Sequence, residues 1–431
     1  MKYLLLFLSS VVFAANFSSD IDKTFKEAKK EKKPIIIDFY GIWCPPCNEL
    51  DAIVFESRGF LEKSKAFKLL KVDAEKESSW KLKDRYQVGG YPTIVFTDSN
   101  GKESYRITGF RAEKEFLRVM NLVLTSKSKD FKKACAGRSE DDLWSCATVC
   151  SERKDVACTN KALLQLKPLL KPGTAKYDLA ETYSAENSAT EDLKYLAYEQ
   201  LLTKSPDSPQ ALLWANTYWE LASGVKQKAK KELIEKMLQN YANFQKDSRN
   251  EELGLSETDR AQMRAELLGK IGKEEESKAA WKEAAVLLES KAKELGTAHP
   301  ERGFTIERIS ALEASGESEK ALQLATDYRE KFPVEFTFHY KAASLLKGQK
   351  KFNEALVPAK KAYSIAYGDN KIRVATLLIQ LYTTIPDKKA AQGVYEEIKK
   401  NIKPSDKLQV RTHNYLKKMD QAYDKLAGAK S

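Results

Sequence analysis

Histidine is scarce in this chain. His299, His339 and His413 are the only three among 431 residues, and they are far apart. That excludes a histidine-rich metal enzyme and leaves little material for a Ser-His-Asp triad. Glycine and proline are few, at 19 and 13, which excludes collagen-like and low-complexity chains. No apolar run reaches the roughly 18 residues of a membrane-spanning helix, so stable membrane insertion is not expected. Neither sign of charge dominates, since 73 Lys and Arg against 61 Asp and Glu leave a net charge of +12. The basic residues alternate with acids, as on solvated helix faces, and no nucleic-acid partner is expected.

What is present begins with a leader pattern. Lys2 is followed by an apolar stretch from Tyr3 to Phe13, and Val12 and Ala14 fit small-residue cleavage after Ala14. No cysteine follows that point to carry a lipid. The expectation is a signal peptide over 1–14 and a soluble periplasmic or secreted protein. In such an oxidising compartment the six cysteines read as disulfide formers. They fall into two groups: Cys44 and Cys47 form a C-x-x-C, while Cys135, Cys146, Cys150 and Cys158 lie within 24 residues of sequence.

Three parts follow the leader. Residues 16–126 mix helix and strand signals. Ile21, Phe25 and Ala28 recur at helical spacing up to Pro34, which is expected to end that helix. Ile35 to Tyr40 reads as a strand buried on both faces, with further strands at Leu69–Val72, Thr93–Phe96 and Tyr105–Ile107. Asn100-Gly101 makes the last two a hairpin. Trp80–Tyr86 and the stretch holding Phe116, Leu117, Met120 and Leu124 read as helices. This alternation predicts an α/β sandwich on a mixed sheet. Residues 127–159 form a polar, cysteine-containing linker, with a helix near Asp141–Arg153 that places Cys146 and Cys150 on one face.

Residues 160–431 are helical in pattern and repetitive. Gly316 to Leu322 matches Lys350 to Leu356, and Ala321 and Ala355 are 34 residues apart. This period and its small-residue pattern resemble the tetratricopeptide repeat, although the Trp and Gly near that repeat's start are missing here. An all-α solenoid follows, each helix pair covering its neighbour's apolar face. Fourteen of the 19 Tyr lie in this part, mostly as hole-filling core residues.

The chemistry centres on Trp43-Cys44-Pro45-Pro46-Cys47, placed after a strand and opening a helix. A cysteine there meets unpaired backbone N–H groups and the positive end of the helix dipole, which favour thiolate over thiol. Two intervening residues let Cys47 close a disulfide with it. Cys47 is expected to be the more buried thiol. A haem-attachment site is excluded because Asn48 stands where histidine is needed. A zinc half-site would need the second cysteine group, and a purely structural disulfide is the plain alternative.

Residues 30–125 resemble a thioredoxin-fold domain, especially the periplasmic thioredoxin-like domain of the membrane reductase DsbD and related exported thioredoxins. Lys33-Pro34, Asp38-Phe39-Tyr40, Trp43-Cys44 to Cys47, Val72-Asp73 and Val88-Gly-Gly-Tyr91-Pro92-Thr93 carry the resemblance. It implies that Cys44 attacks and Cys47 resolves. It also implies that Asp38 lies buried beneath the dithiol as a proton carrier, and that Pro92 is cis. Trp43, Tyr91 and Pro92 would then meet substrate. Its tilt is towards reduction, with an upstream redox donor, or an acceptor if the direction is reversed. No cofactor and no metal are expected.

The second cysteine group is expected to form two structural disulfides. Each of Cys146 and Cys150 would join a different flanking cysteine, since a bond along one helix would constrain little. A Cys₄ zinc site and a redox relay with Cys44 are the alternatives. The whole reads as an exported thiol–disulfide oxidoreductase whose repeats bind a protein client carrying disulfides. The competing reading is a repeat-based binding scaffold in which the first domain docks or orients that client.

Overall fold

The computed structural model describes residues 15–125, 135–136, 139–295, 298–403 and 410–428. The expected leader, 1–14, and linker residues 126–134 lie outside them. Helix α1 (Ile21–Glu31) starts where the Asp20 side chain accepts from the Lys23 N–H. Lys32, rather than Pro34, ends it, with a left-handed backbone at φ 54° that lets its N–H reach the Ala28 carbonyl. Strand β1 (Ile35–Tyr40) follows, then α2 (Pro45–Leu50), extended to Phe55 by one wider helical turn. Next come α3 (Arg58–Ser64), β2 (Lys68–Asp73), α4 (Trp80–Arg85), β3 (Thr93–Thr97), β4 (Glu103–Thr108) and α5 (Glu113–Thr125).

The sheet order is β2-β1-β3-β4, with β1 parallel to β2 and the remaining pairs antiparallel. Successive side chains of β1 point to opposite faces. Ile36 joins Phe55, Phe60, Phe96 and Phe116 on one side. Ile35, Ile37 and Phe39 join Ala28, Leu82 and Tyr86 on the other. This double burial is why the strand reads as an unbroken apolar run. The domain is thioredoxin-like, as the resemblance implies.

Helix α6 (Glu140–Glu152) and helix α7 (Val156–Leu166) come next. Val149 of α6 enters the core around Phe96 and Phe116, and Arg153 donates to the Glu103 carbonyl at 3.2 Å. This part of the expected linker therefore packs as an outer layer of the first domain. The remaining helices run from Ala175 to Gly428, and most successive ones pack on each other. Ala321 and Ala355 are both fully buried, in the helices Ser318–Lys331 and Phe352–Ile365. The 34-residue match thus marks small residues where neighbouring helices approach closely.

The array returns to the first domain. Helix α2 packs along the helix Ala298–Ala314. A Cβ on Gly303 of that helix would lie 2.7 Å from Asn48 Nδ2 and 3.0 Å from the Pro45 Cα, so the contact is built on glycine. Trp80 of α4 packs with Ile372, Ile379 and Met419 from the end of the repeats.

Candidate functional site

Cys44 caps the start of α2 and is disulfide-bonded to Cys47. Pro45 and Pro46 occupy the first helical turn, where a missing N–H costs nothing. The Cys47 N–H donates to Cys44 Sγ at 3.3 Å, and the Asn48 side chain donates to the Cys44 carbonyl at 2.8 Å. The Tyr91–Pro92 peptide is cis, at the entry to β3. Both sulfurs are covered: Cys44 is 2 % exposed and Cys47 3 %. The expectation that Cys47 is the more buried is thus not met. Gly303 of the repeats closes on Pro45 and Asn48, which flank the two cysteines in sequence.

Asp38 sits in the middle of β1, 2 % exposed, paired in register with Lys71 of β2. Lys71 Nζ stands 3.5 Å from Asp38 Oδ2 and also binds Asp51, while Asp38 Oδ1 has no hydrogen-bond partner. Burial pushes the Asp38 carboxyl up to about 7, with Lys71 opposing and Asp51 adding to the shift. An acid in that range can exchange a proton near neutrality. Lys71 was not singled out from sequence, although its register opposite the strand acid follows once β1 and β2 pair.

Trp43 and Tyr91 face the repeats. The Trp43 indole donates to Glu75 Oε2 at 2.7 Å, and its ring meets Tyr91 edge-on. The Arg411 guanidinium lies 5.3 Å from the Trp43 ring centre and 5.4 Å from that of Tyr91, with Arg373 at 5.9 Å from Trp43. Glu75 is fully buried. It also accepts from Asn370 and faces Arg411 at 3.4 Å. Beside it, Tyr367 donates to Asp73 Oδ2 at 2.6 Å, and Arg302 donates to the Ile42 carbonyl at 3.2 Å. The face expected to receive substrate is thus occupied by the chain's own repeats.

None of these repeat residues was foreseen. The break in the Ala-rich helical pattern at Tyr367-Gly368-Asp369-Asn370 is a turn-type cluster that flags an irregular position. It says nothing of a partner nearly 300 residues earlier. In the second group, Cys135 pairs with Cys146 and Cys150 with Cys158, so each helical cysteine joins a different flanking one.

Residues 21–124 match the family model of the thioredoxin-like domain. The thiol:disulfide interchange protein DsbD of Campylobacter jejuni is 34 % identical over 107 residues, 23 % of this chain and 19 % of that one. The protein of the same name from Vibrio cholerae is 35 % identical over 103 residues, 23 % of this chain and 17 % of that one. The chain thus spans less than a fifth of the length of these curated relatives. Among solved structures, a tetratricopeptide repeat protein from Parabacteroides merdae is 12 % identical with a TM-score of 0.41, covering 66 % of this chain and 100 % of that one. Among the described residues, no helix is long and apolar enough to cross a membrane.

Proposed function

We propose that this protein, built on a thioredoxin-like domain, is an exported thiol–disulfide oxidoreductase that reduces protein disulfides. The observation that carries this reading is the Cys44–Cys47 disulfide at the head of α2, in a domain whose β1 holds the buried Asp38 and whose β3 is entered through cis-Pro92. In the reduced protein the Cys44 thiolate would be held by the Cys47 N–H and the end of α2. It attacks one sulfur of a client disulfide, the other client sulfur leaves as a thiolate, and a mixed disulfide forms. Asp38 takes the Cys47 proton. Cys47 then attacks Cys44 Sγ and releases the second client thiol. The Cys44–Cys47 disulfide remains, which is the form described here. A dithiol donor must then restore the pair; run in reverse, the chemistry needs an acceptor. Trp43, Tyr91 and Pro92 orient the client backbone.

The repeats add a gate. Arg302, Gly303, Arg373 and Arg411 lie against Ile42, Pro45 and Trp43, which flank Cys44 in sequence, and Gly368 lies against Glu75, which holds Trp43. A client must displace or engage them to reach Cys44, so the array selects what is reduced and can bind the client as it does so. The same burial favours a second reading, a protein-binding scaffold whose sealed first domain only docks or orients a partner.

The reduction potential of the Cys44–Cys47 couple separates these. A value near −270 mV supports a reductase and one near −120 mV an oxidase. A dithiol that exchanges with neither glutathione nor protein disulfides overturns the catalytic reading in favour of the scaffold. Fractionation of the native host cell tests the periplasmic or secreted location.

A further inference from the structure

The second cysteine group has a geometry that two staples alone do not require. The four sulfurs of Cys135, Cys146, Cys150 and Cys158 all lie within 4.8 Å of one another. Across the two disulfides, Cys158 Sγ is 4.0 Å from Cys135 Sγ and 4.0 Å from Cys146 Sγ. A tetrahedral zinc–thiolate centre with Zn–S bonds of about 2.3 Å has sulfur–sulfur edges of about 3.8 Å. Two of the four sulfur pairs between the bridges are already near that spacing, and the other two lie within 4.8 Å. The two bonded pairs must spread once reduced, which side-chain rotation can supply.

The donors come from three places. Cys146 and Cys150 are four apart on α6 and share a face, Cys158 sits in the first turn of α7, and Cys135 precedes both helices. Leu143, Ala162, Leu163 and Leu166 pack with Cys146 and Cys150 in one buried apolar cluster. On the open side Lys102, Arg153 and Lys161 line the surface pocket that reaches the sulfurs. Glu103 and Asp155 line it too, so the basic residues are in slight excess beside a four-thiolate centre, which carries a net charge of −2 with a divalent ion. The pocket is an entry path.

We propose that this cluster is a redox-gated metal site. Oxidised, it is the pair of disulfides; reduced, its four thiolates bind one soft divalent ion of the zinc class. Each disulfide takes two electrons and two protons from a dithiol, which leaves as its own disulfide. The four resulting thiols release four protons as the ion binds. The site lies at the joint between the two halves of the molecule. Helix α6 sends Val149 into the sheet core, and its Trp144 packs against Tyr183 of the repeats. The ion would hold α6, α7 and the segment at Cys135 together when the disulfides between them are open. This adds a metal to a cluster that the sequence reads first as two structural disulfides, and it does not depend on the activity proposed for Cys44.

The test uses the full chain with Cys44→Ser and Cys47→Ser, so that only these four thiols remain. A phosphine reductant opens the disulfides, becoming phosphine oxide, and is removed without air before Co²⁺ is titrated in. The expected result is one Co²⁺ per chain with the intense visible bands of tetrahedral thiolate cobalt. One equivalent of Zn²⁺ should bleach them, and all four thiols should then resist alkylation. The unreduced protein should bind none. Weak six-coordinate cobalt, no stoichiometric binding, or four thiols that alkylate freely in the presence of Zn²⁺ would overturn the proposal. Cys150→Ser on the same background should lose the four-thiolate spectrum; an unchanged spectrum would also overturn it.

Discussion

Gly368 runs so close to Glu75 that a Cβ at Gly368 would lie 1.7 Å from the Glu75 carbonyl oxygen. The Gly368 backbone is also left-handed, at φ 52°. Two segments distant in sequence are thus fitted backbone to backbone. The Glu75 side chain at that point holds Trp43, next to the nucleophile, and Asn370 together.

Gly368→Ala should therefore open the gate. The left-handed conformation alone costs a side chain about 1–2 kcal/mol, and the clash adds to it. Since about 1.4 kcal/mol is tenfold in an equilibrium, alkylation of Cys44 in the reduced protein should quicken by about tenfold or more. Circular dichroism checks that the helices persist. An unchanged alkylation rate would mean that Cys44 is reached by another path.

Cys47→Ser should trap clients. It keeps the attacking thiol and removes the resolving one, so mixed disulfides should accumulate and collapse with added reductant. Cys44→Ser should trap none. Combining Cys47→Ser with Gly368→Ala should raise the yield on generic disulfides, because the cover over Cys44 is loosened. Equal trapping by both single variants would count against ordered attack.

Asp38→Asn should remove a pH dependence. The Asp38 carboxyl is pushed up to about 7 by burial, from an ordinary 3.8. As a base it works when ionised, so resolution of the mixed disulfide should speed up through pH 7 and level off above it. The variant should lose that inflection and about 10²-fold in rate. Stability runs the other way. An acid raised in the folded state stabilises fully below its unfolded value, and that contribution is lost as pH rises through about 7. The variant should unfold at higher denaturant than wild type at pH 8, with a smaller difference at pH 4.

The gate itself should loosen in alkali. Burial pushes Glu49 of α2 up to about 7, with Asp259 adding to it and Lys291 opposing. Glu307, in the helix facing α2, is pushed up to about 8 by burial, again helped by Asp259, with Gln262 donating to it. Both ordinarily titrate near 4.5. Their docked, protonated forms favour closure below that pH, and the contribution is lost as pH rises through 7 to 8. Protease cutting between the halves should increase across that range. Glu307→Gln should flatten the curve; an identical curve would assign the effect to other groups.

Local chemistry was legible in the residues themselves. The run Ile35–Tyr40 announces a buried strand because both faces of a central strand are covered. Cys44 and Cys47 announce a dithiol because two intervening residues bring the second sulfur round one helical turn. Ala321 and Ala355 announce a repeat because close helix packing demands a small residue at the same place in each unit. These are short-range or periodic constraints, and they survive in a linear text. The tertiary structure alone decided which surface of the repeats would meet which surface of the first domain. Glu75 and Asn370 share a carboxylate contact across 295 positions, and Gly303 closes on Pro45 across more than 250. Such contacts depend on the summed turn and curvature of all the helices between, which no local pattern encodes. The sulfur cluster stands between these cases. The α6 helical pattern places Cys146 and Cys150 on one face, but only the packing of α7 and the segment at Cys135 brings all four sulfurs within 4.8 Å.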